Sequence, residues 1–268
     1  MLAIKPARLR HRLGVTAAVL VGFGSTIAAA GELPESGSAR YWIQDGGQWR
    51  GYETLTWDFE ADDTFRLERI REHRQRPAQA DHPGDRRIRR TREISEGTLE
   101  GDVARPETYE VRTATVFQTD EAYDPETAFE DAEEEVTLAA RFTDDEAAVE
   151  AGEIAVPPDA LDPLTHRWQV MEEALEGTRH TQISHQVVDE QGEVEEVVFR
   201  VEGRQTVRAH PGTFRTVRLT RQQPGQQRAV RWYMAEGWAG LPVRTVDRRS
   251  EHHAQRTRLE RIEAADDG

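Results

Sequence analysis

The chain has 268 residues and a formal net charge of −15, with 50 acidic residues against 35 basic ones and no cysteine. A surface this negative repels phosphate backbones and anionic lipid headgroups, so neither nucleic acid nor a membrane surface is a predicted partner. Without cysteine, the fold has no disulfide, no thiol chemistry and no cysteine-linked lipid anchor.

The N-terminus has the three parts of a secretory signal. Four basic residues lie between Lys5 and Arg12, an apolar stretch covers 13–27, and three alanines end at Ala30. This arrangement predicts a signal peptide of residues 1–30, cleaved after Ala30, and hence a periplasmic protein. The apolar stretch is shorter than the roughly 20 residues of a spanning helix, so no stable transmembrane segment is expected after cleavage. An uncleaved N-terminal anchor is the alternative.

Short runs of alternating apolar and polar residues follow the signal. Such alternation is typical of antiparallel strands with one buried face. In the N-terminal half, the runs cover 52–59, 65–69, 109–117 and 136–142. The stretches 75–85 and 119–135 are predicted to be loops, and Ser95 is interpreted as lying where a strand ends and enters a turn.

One segment in the middle of the chain has helical spacing. Apolar residues recur at steps of three and four, at Leu161, Leu164, Trp168, Met171 and Leu175. Asp162 and Pro163 are typical of an N-cap and a first helical residue, and Gly177 of a C-terminal stop. The pattern predicts an amphipathic helix over about 163–176, with its apolar stripe packed on a sheet. Its other face, with Arg167, Glu172, Glu173 and Glu176, is expected in water.

The C-terminal half continues the strand pattern. Alternating runs cover 181–187, 197–201, 214–220, 228–234, 241–247 and 255–262. Turn residues separate them at intervals typical of a barrel or a sandwich. We therefore predict a mainly β fold. It is a single curved antiparallel sheet or barrel-like meander with one amphipathic helix packed on it, and residues 31–268 form one β-rich envelope domain.

No motif in the chain specifies a reaction. There is no Gly-x-Ser-x-Gly elbow, no phosphate-binding loop, no dinucleotide fingerprint and no His-Glu-x-x-His pair. The histidines, including His166, His180 and His185, are interpreted as solvent-facing or singly hydrogen-bonded. We predict no catalytic residue, no metal ligand and no cofactor.

Two local features are candidates for ligand binding. The first is a band of five arginines between Arg86 and Arg92, in which Arg89 and Arg90 could bind an anionic lipid or glycan. Pairing of this band with the acidic residues around 133–135 is the preferred alternative. The second is the aromatic pair Trp232 and Trp238, which could line a mouth for sugars or lipids, or plug one end of a barrel.

Several short motifs occur in a characteristic order. They are Ser95-Glu96-Gly97, Arg105-Pro106-Glu107-Thr108-Tyr109, Asp162-Pro163-Leu164, Pro211-Gly212-Thr213-Phe214, Arg231-Trp232-Tyr233-Met234-Ala235 and Leu241-Pro242-Val243-Arg244. In these motifs the chain resembles, over about 38–263, the bacterial exported family known as domain of unknown function 3108. It departs from the family pattern at Thr165, where a serine is usual. The resemblance implies an envelope-located, mostly β domain and implies no catalytic residue.

Two functional hypotheses follow from the sequence. The first is a non-catalytic binding or structural protein of the periplasm, holding a small hydrophobic or glycan ligand in a barrel-like cavity or contacting another envelope component. The second is a hydrolase of envelope glycan or lipid that uses a pair of carboxylates.

Overall fold

In the computed structural model, the described part of the chain begins at Glu35. The predicted signal peptide therefore lies outside it. The structure describes residues 35–74, 86–101, 103–118, 129, 132–145, 149–176, 182–189, 191–222, 229–236, 241–248 and 254–264.

Thirteen strands and one helix make up this part of the chain. In order they are β1 Ser36–Asp45, β2 Gln48–Phe59, β3 Thr64–Arg74, β4 Arg86–Glu100, β5 Val103–Gln118, β6 Glu135–Phe142, β7 Ile154–Val156, α1 Pro163–Glu176, β8 Gln182–Val188, β9 Val194–Ala209, β10 Gly212–Gln222, β11 Ala229–Ala235, β12 Pro242–Arg248 and β13 Ala254–Ala264. The predicted fold class, a mainly β chain with one helix, is confirmed.

The strands form a single sheet that is nearly closed into a barrel. Its order is β7-β6-β5-β4-β3-β2-β1-β13-β12-β11-β10-β9-β8, so the first and last of the described strands pair at its centre. Neighbouring strands are antiparallel except β6 and β7. The two edge strands are β7 and β8. Leu161, a few residues after β7, bridges the gap to β8: its N–H donates to Gln186 O at 2.9 Å, and its carbonyl accepts from Val188 N at 2.9 Å.

Alternation along each strand decides which side chains face the interior. In β1, every second residue is buried, including Tyr41 and Ile43, and β2 continues the pattern with Leu55 and Trp57. The turn between β1 and β2 is Gly46-Gly47, and both glycines have positive φ values, 59° and 81°. A two-residue hairpin turn of this kind favours glycine, because side chains with a Cβ rarely adopt that conformation.

Helix α1 lies inside the curve of the sheet. Asp162 caps it by accepting from Leu164 N at 2.7 Å and Thr165 N at 3.0 Å. Leu164 and Met171 are buried in the main core, as predicted. Trp168 is half-buried and packs on Phe59, with 4.5 Å between the ring centroids. The side chain of Leu175 lies outside the described residues. The described helix is not long and apolar enough to cross a membrane.

The prediction that Arg167 faces water is wrong. Arg167 is only 5% exposed, and Gln169 on the same helix is also buried. The helix contacts β3, β4, β5 and β8, so the wall of the barrel surrounds more of it than one apolar stripe would require. A helix enclosed in this way buries polar side chains too, and these need polar partners on the strands.

The sequence also missed three strands, β1, β4 and β7. Ser95 does not end a strand: it lies within β4 and is fully buried. Much of β4 has no apolar alternation, because arginines and glutamates occupy both of its faces, so the period-two signal is absent there.

Replacing Met171 with Ala is expected to destabilise the protein by about 2–5 kcal/mol, the usual range for emptying a buried methionine site. The exposed Val136 on β6 provides the control, because its truncation to Ala should change stability by less than about 0.5 kcal/mol. Chemical denaturation followed by circular dichroism measures both. Equal effects for the two variants would contradict the placement of the helix in the core.

Candidate ligand-binding cavity

The barrel encloses a cavity of about 470 Å³ beside helix α1. Its walls are the inner faces of β2–β5 and β8–β13 and one side of the helix. A volume of this size suits a small organic molecule. Most of the wall is polar or charged, and buried charges of this kind need partners within the protein.

One part of the wall is a hydrogen-bonded network of charged side chains together with Tyr109 on β5. The Tyr109 hydroxyl donates to Glu93 Oε2 at 3.1 Å. The other oxygen of Glu93 accepts from Arg69 Nε at 3.1 Å and also from Arg69 Nη2. Glu93 and Tyr109 are both buried. Burial raises the pKa of Tyr109 well above its usual value, and the Glu93 charge adds to this, so the phenol stays protonated as a donor.

Glu53 on β2 connects the wall to the helix through an ion pair with Arg167. Its Oε1 accepts from Arg167 Nη1 at 2.8 Å, and both side chains are buried. Burial alone would raise the pKa of Glu53, but the neighbouring guanidiniums outweigh it and lower the pKa to about 2. Arg167 has the largest such effect, and Arg69 and Arg71 follow. Glu53 is therefore ionised at any physiological pH.

Part of the Arg167 guanidinium has no such partner. Its Nε and Nη2 are buried and form no hydrogen bond with any described residue. They make up one edge of the planar group, while Nη1 alone contacts Glu53. A buried charged donor without an acceptor is rare in folded proteins.

An aromatic wall lies beside this charged region. The rings of Phe199 on β9 and Trp232 on β11 have centroids 4.5 Å apart, and the His166 ring is 6.2 Å from that of Trp232. His185 stands edge-on to His166 at 5.3 Å and makes a 2.9 Å contact through its Nε2 with Glu173 Oε1. The side chains of Phe199, Trp232 and His166 line the cavity, whereas His185 does not.

His166 is buried, so the interpretation of the histidines as solvent-facing or singly hydrogen-bonded fails for this residue. Its Nε2 has no hydrogen-bond partner among the described residues. Burial lowers the pKa of His166 to about 3, with smaller contributions from His185 and Arg221. The ring is therefore neutral at pH 7. His180 lies outside the described residues.

Towards one end of the barrel, a second layer of polar groups borders the cavity. Arg71 Nη2 donates to Gln255 Oε1, bridging β3 and β13 across two intervening strands. Arg221 pairs with Glu195 at the same end. Asp247 also lines the cavity there, opposite Gln255 in the register of β12 and β13.

A separate polar cluster fixes the start of the helix to the sheet. Ser95 Oγ donates to Asp162 Oδ2 at 2.7 Å, and Thr165 Oγ1 donates to the same oxygen at 2.6 Å. All three side chains are fully buried. Burial raises the pKa of Asp162, although these hydrogen bonds oppose the change. The cluster does not border the cavity, and capping explains its polar atoms.

The arginine band lies on β4, away from the cavity lining. Arg90 Nη2 and Nε donate to Glu72 Oε1 at 2.7 and 3.1 Å, and its guanidinium lies 3.9 Å from the Phe129 ring centroid. Arg92 pairs mainly with Glu68, at 2.7 Å, and approaches Glu134 at 3.8 Å. Pairing within the chain is thus observed, but strand β3 supplies most of the carboxylates, not the predicted segment 133–135. Arg89 is exposed.

The two tryptophan candidates differ in outcome. Trp232 borders the cavity, as part of the aromatic wall. Trp238 lies outside the described residues.

Three charged residues of the cavity, Glu53, Arg69 and Arg167, were not predicted from the sequence. A signal existed for two of them, because Glu53 has the strand parity of Leu55 and Trp57, and Arg69 that of Phe65 and Leu67. No group of three or more His, Asp or Glu able to hold a metal ion occurs among the described residues.

One solved structure supports the fold, and it supports the fold alone. The chain is similar to the β-barrel-like protein of domain of unknown function 1849 from Brucella abortus, with a TM-score of 0.52 and 10% identity, over 89% of this chain and 100% of that one. A second similarity, to a "putative lipoprotein" from Parabacteroides distasonis, covers 87% of this chain and 97% of the other at 10% identity, with a TM-score of 0.30. No family model and no curated protein matches the chain. What is shown is a β-barrel-like domain, and membership of family 3108 stays a prediction.

The burial of His166 predicts sensitivity to acid. In the unfolded chain this histidine gains a proton below its ordinary pKa of 6.5, whereas in the folded protein it stays neutral down to about 3. The unfolded state therefore binds more protons in this range, and the free energy of unfolding should fall as pH drops below about 6.5. Glu53 adds to this loss between its ordinary value of 4.5 and about 2.

The measurement is urea denaturation from pH 8 to pH 4.5. A His166→Gln variant should lose much of the decline, which for one proton is at most about 1.4 kcal/mol per pH unit. Replacing the exposed His210 with Gln should leave the decline in place. If the His210 variant flattened the profile and the His166 variant did not, the placement of His166 would be wrong.

The ion pair of Arg90 makes a second stability prediction. Replacing Arg90 with Gln should lower the free energy of unfolding by about 1–3 kcal/mol. Glu72 is only 6% exposed and would lose the two hydrogen bonds that the Arg90 guanidinium donates to it. The same replacement at the exposed Arg89 should change stability by less than about 0.5 kcal/mol. Equal losses, measured by thermal or urea unfolding, would contradict the observed pairing.

Proposed function

We propose that this protein is a non-catalytic binding protein of the bacterial envelope, which holds a small polar ligand in its barrel cavity. The observation that carries the proposal is the cavity itself. It is about 470 Å³ in volume, and fixed charged groups and an aromatic wall line it. Ligand sites combine such a concave space with a few well-placed polar groups.

The polar lining favours a glycan fragment over a lipid. An acyl chain in this cavity would lie against charged side chains such as Arg69 and Asp247, and would displace water from them without offering a polar group in its place. A sugar offers hydroxyl groups to those side chains and an apolar ring face to Trp232. Of the two ligand classes that the sequence suggested, the glycan fits the lining better.

The alternative, a hydrolase with a carboxylate pair, gains no specific support. Such an enzyme needs one carboxylic acid that is protonated near neutral pH. The two deep carboxylates of the cavity are Glu53 and Glu93, and each is bound to a guanidinium. With a pKa of about 2, Glu53 has no proton to donate.

The envelope location rests on the sequence of residues 1–30. Expression of the chain with this segment present should give a periplasmic product that begins at Gly31, which intact-mass measurement detects. A product that keeps residues 1–30, or one that remains in the membrane fraction, would contradict export with cleavage.

Binding in the cavity is tested with a panel of neutral and acidic mono- and disaccharides, by calorimetry and by thermal stabilisation of the purified protein. Binding raises the melting temperature, because the ligand binds only the folded state. Replacing Val230, which lines the cavity, with Trp should weaken binding at least about tenfold, because the larger side chain occupies part of the cavity.

Val194, on β9, provides the matched control, because it is 40% exposed and does not line the cavity. The Val194→Trp variant should bind as the wild type does. If no saccharide binds, or if Val230→Trp leaves binding unchanged, the proposed function is wrong.

A further inference from the structure

A second concave site, a basic groove of about 600 Å³, lies apart from the barrel cavity. It forms where the β9–β10 hairpin reaches β13, with His210 N 3.4 Å from Leu259 O. The charged side chains of its lining are Arg208, Arg244 and Arg258, and no described carboxylate lines it. No described residue lines both the groove and the barrel cavity.

The alternation of side chains along β12 and β13 places the groove on the outer face of the sheet. Thr245 and Asp247 of β12 line the inner cavity, so Arg244 faces outward. Thr257 of β13 also lines that cavity, so Arg258 faces outward as well. The groove is therefore open to ligands that never enter the barrel.

Two of the arginines face each other without a carboxylate between them. Arg244 and Arg258 lie directly opposite in the register of β12 and β13. Like charges in this position destabilise a sheet. Neither residue forms an ion pair with a described residue, and Arg208 forms none either. Arginines elsewhere on the sheet, such as Arg66 and Arg218, are paired with glutamates. An anion bound in the groove would relieve the repulsion.

The surroundings of the groove add positive charge. Arg231 and Arg256, in the next row of the outer face, both lie opposite Val246 and form no ion pair with a described residue. Glu260, two residues after Arg258, is already paired with Arg40 at 3.4 Å. The chain as a whole has a net charge of −15, so this basic patch is a local exception. A small anion is attracted to it, whereas the rest of the surface repels a large one.

Aromatic side chains flank the two arginines. The Arg244 guanidinium lies 4.0 Å from the Tyr233 ring centroid, a cation–π contact that holds it in place. Its Nε is shielded from solvent, so its terminal nitrogens are the atoms that can reach a ligand. Trp42 lies opposite Arg258 on β1, and its ring is 5.9 Å from that of His210. The Trp42 Nε1 is shielded too, so Trp42 offers ring surface rather than a donor.

A phosphate monoester matches this groove better than a carboxylate does. It carries a charge of about −1.5 to −2 at pH 7 and has three acceptor oxygens. The three arginines of the lining can answer both features, because a guanidinium donates two parallel hydrogen bonds to a phosphate. The groove is larger than a phosphate ion, which leaves room for a small attached group beside the Trp42 ring.

We propose that the groove lined by Arg208, Arg244 and Arg258 binds the phosphate group of a phosphorylated small molecule, with the attached group against Trp42. The site is independent of the barrel cavity and goes beyond the proposed function. A sugar phosphate or the headgroup of a phospholipid could supply the phosphate monoester.

The first experiment compares four probes by calorimetry on the purified protein: inorganic phosphate, glucose 6-phosphate, glucose and glucuronate. Glucose 6-phosphate should bind at least about tenfold more tightly than glucose, and inorganic phosphate should compete with it. Added salt should weaken this binding, because it screens exposed charges. If glucose or the monoanion glucuronate binds as tightly as glucose 6-phosphate, the proposal is wrong.

A double variant assigns the binding to the groove. Arg244→Gln with Arg258→Gln should weaken binding of glucose 6-phosphate at least about tenfold and leave the affinity for glucose unchanged. The variant breaks no ion pair with a described residue and removes a contact between like charges, so it should fold as the wild type does, which urea denaturation checks.

The matched control is Arg89→Gln with Arg200→Gln. Both arginines are exposed and neither lines the groove, so the control makes the same change in net charge at other places. It should keep the affinity of the wild type for glucose 6-phosphate. If the control loses as much affinity as the groove variant, the binding reflects net charge alone and the proposal is overturned.

Two further arms identify the source of the phosphate and separate this site from the barrel cavity. Vesicles of phosphatidylcholine with phosphatidic acid present a lipid phosphate monoester. Sedimentation with them that is lost in the groove variant identifies a lipid, whereas binding of glucose 6-phosphate without sedimentation identifies a soluble ligand. The Val230→Trp variant should keep the phosphate affinity, whether or not saccharides bind inside the barrel. Loss of phosphate binding in Val230→Trp would place the phosphate in the cavity and overturn the proposal.

Discussion

Glu53 of β2 and Arg167 of α1 are 114 residues apart in the chain and form a buried ion pair inside the barrel. Neither charge would be tolerated there alone, since an ionised group taken out of water without a partner costs several kcal/mol. The pair therefore ties the position of the helix to the position of the second strand. The Asp162 cap ties the start of the helix to Ser95 on β4 in a similar way. Burial of the apolar stripe stabilises the packed helix. The Glu53–Arg167 and Ser95–Asp162 contacts then fix how the helix is rotated about its axis and where it lies along the barrel.

The same chemistry explains why the barrel is not filled. Apolar side chains facing one another close up to the density of a crystal, whereas guanidiniums and carboxylates keep to the geometry of their hydrogen bonds. On the inner faces of β2 to β5, apolar residues give way to Glu53, Arg69 and Glu93 at the level of the cavity. Space next to such groups is a suitable environment for water or a polar ligand.

Most of the fold could be predicted from the sequence, and most of the site could not. Alternation revealed most of the strands that have one apolar face, although not β1, and helical spacing revealed α1 with its N-cap at Asp162. Arg167 was placed in water because a charged residue opposite an apolar stripe normally faces solvent. Its true environment depends on Glu53, and no local pattern connects residues so far apart.

The alternation of inward and outward side chains along a strand could have predicted some of the charged residues of the cavity. A charged residue that shares a face with apolar neighbours on a strand must point inward, and Arg69 after Phe65 and Leu67 is such a case. Strand β4, by contrast, has charged residues on both faces and gave no period to detect. Its identity as a strand comes from pairing along nearly its full length with β3 and β5.

The central pairing of β1 with β13, in which Gly37 lies opposite Ala264, brings the two ends of the sheet-forming chain together. A chain is synthesised from its N-terminus, so β1 is complete long before its second neighbour exists. Until β13 arrives, one edge of β1 presents unpaired N–H and C=O groups, which could pair with another molecule. Closing this seam also carries the largest loop entropy of any pairing in the sheet. Assembly of the sheet therefore depends on β13. A chain truncated before β13 would keep twelve of the thirteen described strands, but β1–β7 and β8–β12 would not be joined through β13.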